Sequence, residues 1–127
     1  MNQEVGKKIK EFTDLTSWQK GHALVVTLYK LTEDFPKSEV FGLTSQIRRA
    51  AVSITSNIAE GFGRQSYKEK TQFYYIAYSS LIEIRNQLLI AKDIGYISSE
   101  YDNISNQAIE VQKILQGLIK KSKEFYS

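Results

Sequence analysis

The chain has 127 residues, 42% of them hydrophobic, which is the size of one domain with enough apolar material for a single core unsupported by metal or disulfide. It contains no cysteine, so disulfides, thiolate zinc sites and cysteine nucleophiles are excluded, and a reducing cytoplasm is the expected compartment. A net charge of +3 permits an anionic partner but falls well short of a DNA-coating protein.

Met1 to Phe12 alternates charged and aliphatic residues, which argues against a secretory signal. No apolar run approaches the roughly 18 residues of a membrane span. Residues 1–14 read as an N-terminal arm, and 15–127 as one domain. Helix one is expected from an N-cap at Thr16 or Ser17 to about Asp34, with Trp18, Val25 and Tyr29 on one side and Leu24, Leu28 and Leu31 beside them. Phe35 and Pro36 end it. A bend to Gly42 leads into helix two, from Leu43 or Thr44 to Glu60, with Ile47, Ala51, Ile54 and Ile58 as its buried stripe and Gly61 and Gly63 as its stop.

Ser66, Tyr67, Lys68 and Glu69 have the form of a capping box, in which the serine oxygen meets the Glu69 amide and the glutamate returns to the serine amide. Helix three then runs through Phe73, Ala77, Leu81, Ile84, Leu88 and Ala91 to Gly95. Helix four, from Ser98 or Ser99, places Tyr101, Ile104, Ala108, Val111, Leu115, Leu118 and Phe125 on one seam. Short connections between four such helices predict an all-α, antiparallel up-down bundle.

The search for chemistry returns little. A di-iron carboxylate site needs Glu-x-x-His, yet the single histidine, His22, has Gln19 three residues before it and is read as structural or surface. Gly61 and Gly63 follow a helix and lack the lysine of a phosphate loop. Without cysteine and with one histidine, nucleophile and base pairs are nearly unavailable. No catalytic residue, metal or cofactor is expected.

Positive charge gathers in two places. Arg48, Arg49 and Arg64 face only Glu60, and the last eighteen residues carry Lys113, Lys120, Lys121 and Lys123 against Glu110 and Glu124. Arg49, Ser53, Ser56, Glu60 and Arg64 recur at three- and four-residue steps as one polar ridge. It reads equally as a contact for phosphate or a partner carboxylate and as a plain solvated face with a Glu60–Arg64 pair. Asn57 lies nearer the buried side, where an internal hydrogen bond is the favoured role. Tyr67, Phe73, Tyr74, Tyr75 and Tyr78 spread around helix three, so some must point outward, for self-association or for base stacking. Lys68 joins the candidate set beside them. Lys120, Lys121 and Lys123 fit a last turn that complements the helix dipole, or a phosphate contact.

The order Phe12, Asp14, Leu15, Trp18, then Tyr29, Phe35, Pro36, Phe41, Gly42, Leu43, Gln46, Arg48, Arg49, Ala50, Ala51, Ser53, Ile54, Asn57, Ile58, Ala59, Glu60, Gly61 and Arg64 resembles the bacterial four helix bundle proteins encoded in 23S rRNA intervening sequences, often labelled ribosomal. Phe73, Ile76, Ala77, Ser80, Glu83, Gly95 and Tyr96 continue the likeness, which covers almost all of residues 12 to 120. Gly21 departs from it, since the family usually has alanine there. The resemblance implies a left-handed up-down bundle and, from related accessory proteins of diversity-generating retroelements, a barrel-shaped homopentamer with a basic surface for nucleic acid. It singles out Arg48, Arg49, Asn57, Glu60 and Arg64. The expectation is therefore a non-catalytic, oligomeric, RNA-associated protein, with a protein-binding adaptor as the alternative.

Overall fold

The computed structural model describes residues 8–126, so residues 1–7 of the expected arm and Ser127 lie outside the described residues. Four helices follow in order: α1 (Thr16–Thr32), α2 (Leu43–Phe62), α3 (Tyr67–Asp93) and α4 (Tyr101–Lys123). Short 3-10 turns at Phe12–Asp14 and Lys37–Glu39 precede α1 and α2, and among the described residues there is no strand. Each helix packs on two neighbours, α1 on α2 and α4, and α3 on α2 and α4, which closes a four-helix bundle.

Side-chain partners fix the relative directions. Along α3 and α4, Thr71 meets Ser122, Tyr78 meets Gln116 and Arg85 meets Gln112, so one number rises as the other falls. Ser53 with Ser80 and Lys70 with Phe62 give the same reversed order for α2 and α3. Lys20 with Glu110 and Thr27 with Gln107 repeat it for α1 and α4. These are the antiparallel neighbours that short loops require.

The apolar stripes explain the packing. Leu24 and Leu28 of α1, the stripe of Ile47, Ala51, Ile54 and Ile58 on α2, and Ala77, Leu81, Ile84, Leu88 and Ala91 on α3 are all essentially closed to solvent. Burying each large aliphatic side chain contributes about 1.5–3 kcal/mol, which makes this stripe matching the main drive to assembly.

The helix ends differ in detail from the sequence reading. Helix one is capped by Leu15, not by Thr16 or Ser17: both hydroxyl residues face the bundle and are buried, and the chain enters from the 3-10 turn, where the Leu15 amide donates to the Phe12 carbonyl at 3.0 Å. Gly61 is not a stop but part of α2. A β-carbon there would lie 2.7 Å from Tyr74 Cε1, so α2 and α3 approach too closely for any side chain. The stop is Gly63, whose amide caps the Ala59 and Glu60 carbonyls with φ at −77°. Ser66 caps α3 as expected, its oxygen accepting from the Glu69 amide at 3.1 Å, but Glu69 Oε1 receives the serine hydroxyl at 3.2 Å and not the serine amide. Gly95, at φ +87°, closes α3: the Tyr96 amide donates to the Ala91 carbonyl and the Gly95 amide to that of Lys92.

Helix four also corrects its expected seam. The buried residues are Ile104, Ala108, Val111, Leu115, Ile119 and Ser122, while Leu118 is half-buried and Phe125 is exposed. After Leu115 the stripe steps by four, as the 3.6-residue period of a straight helix demands, and the 3.5-residue repeat behind the expected seam would need supercoiling.

Glu39, in the turn before α2, ties two loops together. Its Oε2 accepts from the Tyr96 hydroxyl at 2.6 Å and its Oε1 from the Leu43 amide at 3.0 Å, one of the otherwise unpaired donors at the start of α2. The Tyr96 bond, then the Leu43 amide, hold the Glu39 carboxyl below the usual glutamate range, and Glu39 raises the Tyr96 phenol above its own. Stabilisation from Glu39 is therefore present above the unfolded glutamate pKa and lost as pH falls through the lower folded value. That from Tyr96 is lost as pH climbs past the ordinary phenol pKa, where the unfolded chain releases its proton first.

Gly61→Ala will destabilise the fold by about 1–3 kcal/mol through overpacking against Tyr74, whereas Gly21→Ala, whose methyl would make ordinary contact at 3.4 Å with Thr55, will be neutral or stabilising by up to about 1 kcal/mol; urea denaturation measures both. Glu39→Gln will flatten the acid limb of melting temperature against pH relative to the parent chain, measured by circular dichroism.

Candidate functional site

The expected site residues do not converge on one patch. Arg48 is committed to the fold: its Nε donates to Thr32 Oγ1 at 2.9 Å, its Nη2 to the Tyr29 carbonyl at 3.1 Å, and its guanidinium carbon lies 4.7 Å from the Tyr29 ring centre. It thereby closes a carbonyl in the last turn of α1, where a cation also complements the helix dipole. Asn57, half-buried, is likewise bonded within its own helix, its Nδ2 donating to the Ser53 carbonyl at 2.8 Å and to Ser53 Oγ at 3.0 Å. Ser53 in turn shares a 2.8 Å hydrogen bond with Ser80.

The polar ridge is accordingly broken in the middle. Ser53 belongs to the α2–α3 contact, while Arg49, Ser56, Glu60 and Arg64 remain exposed. Glu60 and Arg64 form the expected ion pair, at 3.8 Å, and Arg64 also lies 4.5 Å from the Phe73 ring centre. An exposed pair of this kind contributes a few tenths of a kcal/mol. Arg49 borders two shallow recesses, one of about 640 Å³ shared with Tyr29, Arg48 and Val52, and one of about 410 Å³ shared with Gln46, Ser80 and Glu83.

Cations gather more densely where α2 ends, α3 begins and α4 ends, all at one end of the bundle. There Lys68 is exposed on the first turn of α3, and Lys120, Lys121 and Lys123 are exposed on the last turns of α4. Lys120 and Lys123 line an open groove of about 440 Å³ between α3 and α4, together with Tyr75, Tyr78, Gln116 and Ile119. Among the described residues no carboxylate lines it. Lys121 flanks a smaller recess of about 270 Å³, walled by Leu15, Phe62, Tyr67, Tyr74, Leu118 and Phe125. Lys70, not singled out in the sequence, closes that recess: its Nζ donates to the Phe62 carbonyl at 2.5 Å and stands over the Phe62 and Tyr67 rings, and desolvation lowers its pKa.

The tyrosines divide by position. Tyr74 is buried and Tyr78 half-buried, whereas Tyr67 and Tyr75 stay exposed. The hydroxyls of the two groove tyrosines are held from α4, Tyr75 by Lys123 Nζ at 3.2 Å and Tyr78 by Gln116 Nε2 at 3.3 Å. Sequence pattern could count these rings but could not show which hydroxyls were tethered, because the partners lie 48 and 38 residues away. His22 is exposed and stacks on Trp18, with centroids 4.7 Å apart. Among the described residues no three of His, Cys, Asp and Glu come together as metal donors, and no helix is long and apolar enough to cross a membrane.

Comparison with known proteins places this arrangement. No curated protein matches the chain. A crystal structure of a protein of unknown function from the S23 ribosomal protein family of Bacteroides thetaiotaomicron VPI-5482 is similar at a TM-score of 0.74 and 28% identity, over 83% of this chain and 99% of that one. The family described as "23S rRNA-intervening sequence protein" matches residues 13–117, nearly the whole bundle, and the chain belongs to that family.

Proposed function

We propose that the protein is a non-catalytic, homo-oligomeric RNA-binding module of the cytoplasm, whose contact surface is the cationic end of the bundle. The observation that carries this is the open groove of Lys120, Lys123, Tyr75 and Tyr78, which no carboxylate lines among the described residues. Lys68, Lys70, Lys121 and Arg64 lie at the same end, so an anionic polymer could be followed across it. The family description, with its 23S rRNA intervening sequence, supports RNA as the polymer. Arg48 and Asn57 take no direct part in this reading: Arg48 Nε and Nη2 and Asn57 Nδ2 already have partners within the fold.

Self-association has its own support. On the half of α3 away from the lysines, Ile82, Leu89 and Ile90, with Ile94 just beyond, are 40–53% exposed, a band of aliphatic surface that neighbouring copies would cover. The family resemblance makes five copies the leading stoichiometry.

Two measurements test these statements. Triple substitution of Lys120, Lys121 and Lys123 by alanine will weaken binding of a labelled 23S rRNA fragment and lower the slope of log affinity against log salt by about 2, from 0.7–0.9 per lost phosphate contact. Arg48→Ala will instead cost about 1–3 kcal/mol of stability and leave that slope unchanged; binding that is insensitive to salt and to the lysines defeats the proposal. Light scattering on a sizing column will give a mass five times that of the chain, reduced by Leu89→Asp with Ile90→Asp.

A further inference from the structure

Resting on the RNA-binding reading, we infer that the α3–α4 groove takes unpaired nucleotides, with bases stacked on Tyr75 and Tyr78 and phosphates held by the lysines of α4. Three features carry this beyond a general attraction for RNA.

The first is how the rings are held. Lys123 and Gln116 engage the two hydroxyls from α4, which fixes the phenol tips toward that helix while Tyr75 remains 44% exposed. A ring anchored by its polar tip loses little freedom when a flat partner settles on its face, and every base offers such a face. Tyr75 and Tyr78 are three residues apart, about 4.5 Å along the helix.

The second is the run of charge beside them. Lys113 stands seven residues before Lys120 and so on the same side of α4, and Lys123 follows three residues after. From Lys113 to Lys123 the track extends about 15 Å, the reach of a few nucleotides. Arg85, two turns further along α3 and outside the groove's lining, donates to Gln112 Oε1 at 2.6 Å. None of these cations belongs to an ion pair among the described residues; Lys20–Glu110 and Glu60–Arg64 are the pairs found there.

The third is shape. A-form duplex keeps its bases stacked and presents a deep, narrow major groove, so rings in the floor of a shallow groove reach bases only after these leave the stack. Charge alone would serve a duplex equally well; the pairing of lysine with tethered tyrosine favours the single strand.

The test uses the full chain with a fluorescently labelled 12-nucleotide oligouridine and a 12-base-pair RNA duplex, each at two salt concentrations. Oligouridine will bind more tightly than the duplex, and Tyr75→Ala with Tyr78→Ala will weaken it by about tenfold or more at unchanged helix content, whereas the two Tyr→Phe changes will keep most of the affinity. Should the double alanine variant lose helicity, Tyr75→Ala alone decides, because that ring is the more exposed. Equal or tighter duplex binding, or oligouridine binding that falls with the lysines but not with the tyrosines, overturns this inference and leaves the cationic-surface reading standing. A tyrosine variant that changes oligomer mass but not RNA affinity also overturns it, by assigning the rings to contacts between copies. Failure of both RNAs to bind at low salt removes the underlying reading as well.

Discussion

Where α2 meets α3, the facing side chains are small. Ala50, Ser53, Ser80 and Ala77 are buried or half-buried, and at Gly61 even a methyl group would collide with Tyr74. This close approach is the constraint behind the remaining geometry. It lets the Ser53 and Ser80 hydroxyls bond directly, and it seats the Tyr74 ring over Gly61, in the place a larger residue would take. With α3 pinned on that side, its other flank meets α4 in the register that brings Tyr75 to Lys123 and Tyr78 to Gln116. The chemistry on the α4 flank is thus set by steric economy on the α2 flank.

The same logic separates two kinds of cation in the chain. Arg48 spends its guanidinium on Thr32, the Tyr29 carbonyl and the Tyr29 ring, so a residue that looks like a phosphate contact in sequence serves to lock α1 to α2. Lysines at the other end are long and flexible, and although Lys123 donates to the Tyr75 hydroxyl, Lys68, Lys120, Lys121 and Lys123 all stay exposed, as suits charges that meet a mobile partner. Lys70 is intermediate, since its ammonium rests on aromatic faces and a helix-terminal carbonyl and is partly stripped of water.

Much of the fold was legible in the amino-acid order. The stripes on α2 and α3, the serine cap at Ser66 and the glycine at Gly95 follow from local spacing and backbone preference, and local rules suffice for them. What escaped was set by distant partners. The start of α1 is decided by the preceding turn and by which face the hydroxyls present to the core, not by the capping tendency of Thr16 or Ser17. Gly61 signals a helix end when read alone and a close approach only when Tyr74 is placed opposite. The last turns of α4 drifted because small differences between a 3.5- and a 3.6-residue period accumulate toward the end of a long helix. Of the candidate site, the clustering of lysines at the end of α4 was visible, whereas the internal duties of Arg48 and Asn57 and the tethering of the two tyrosines depend on pairs far apart in the chain.

Thr71 and Ser122 share a 2.8 Å hydrogen bond in the interior between α3 and α4, as Ser53 and Ser80 do between α2 and α3. Aliphatic stripes tolerate sliding, since a shift of one turn, about 5.4 Å, still sets leucine against isoleucine. At Thr71 and Ser122, both closed to solvent, such a shift would part the two hydroxyls at about 1–3 kcal/mol for a group left without a partner, although Thr71 keeps the Tyr67 carbonyl at 2.8 Å. These two pairs, one on each flank of α3, therefore act as a combination lock on an otherwise slippery interior: they add little to overall cohesion, yet they penalise wrong alignments of the long helices.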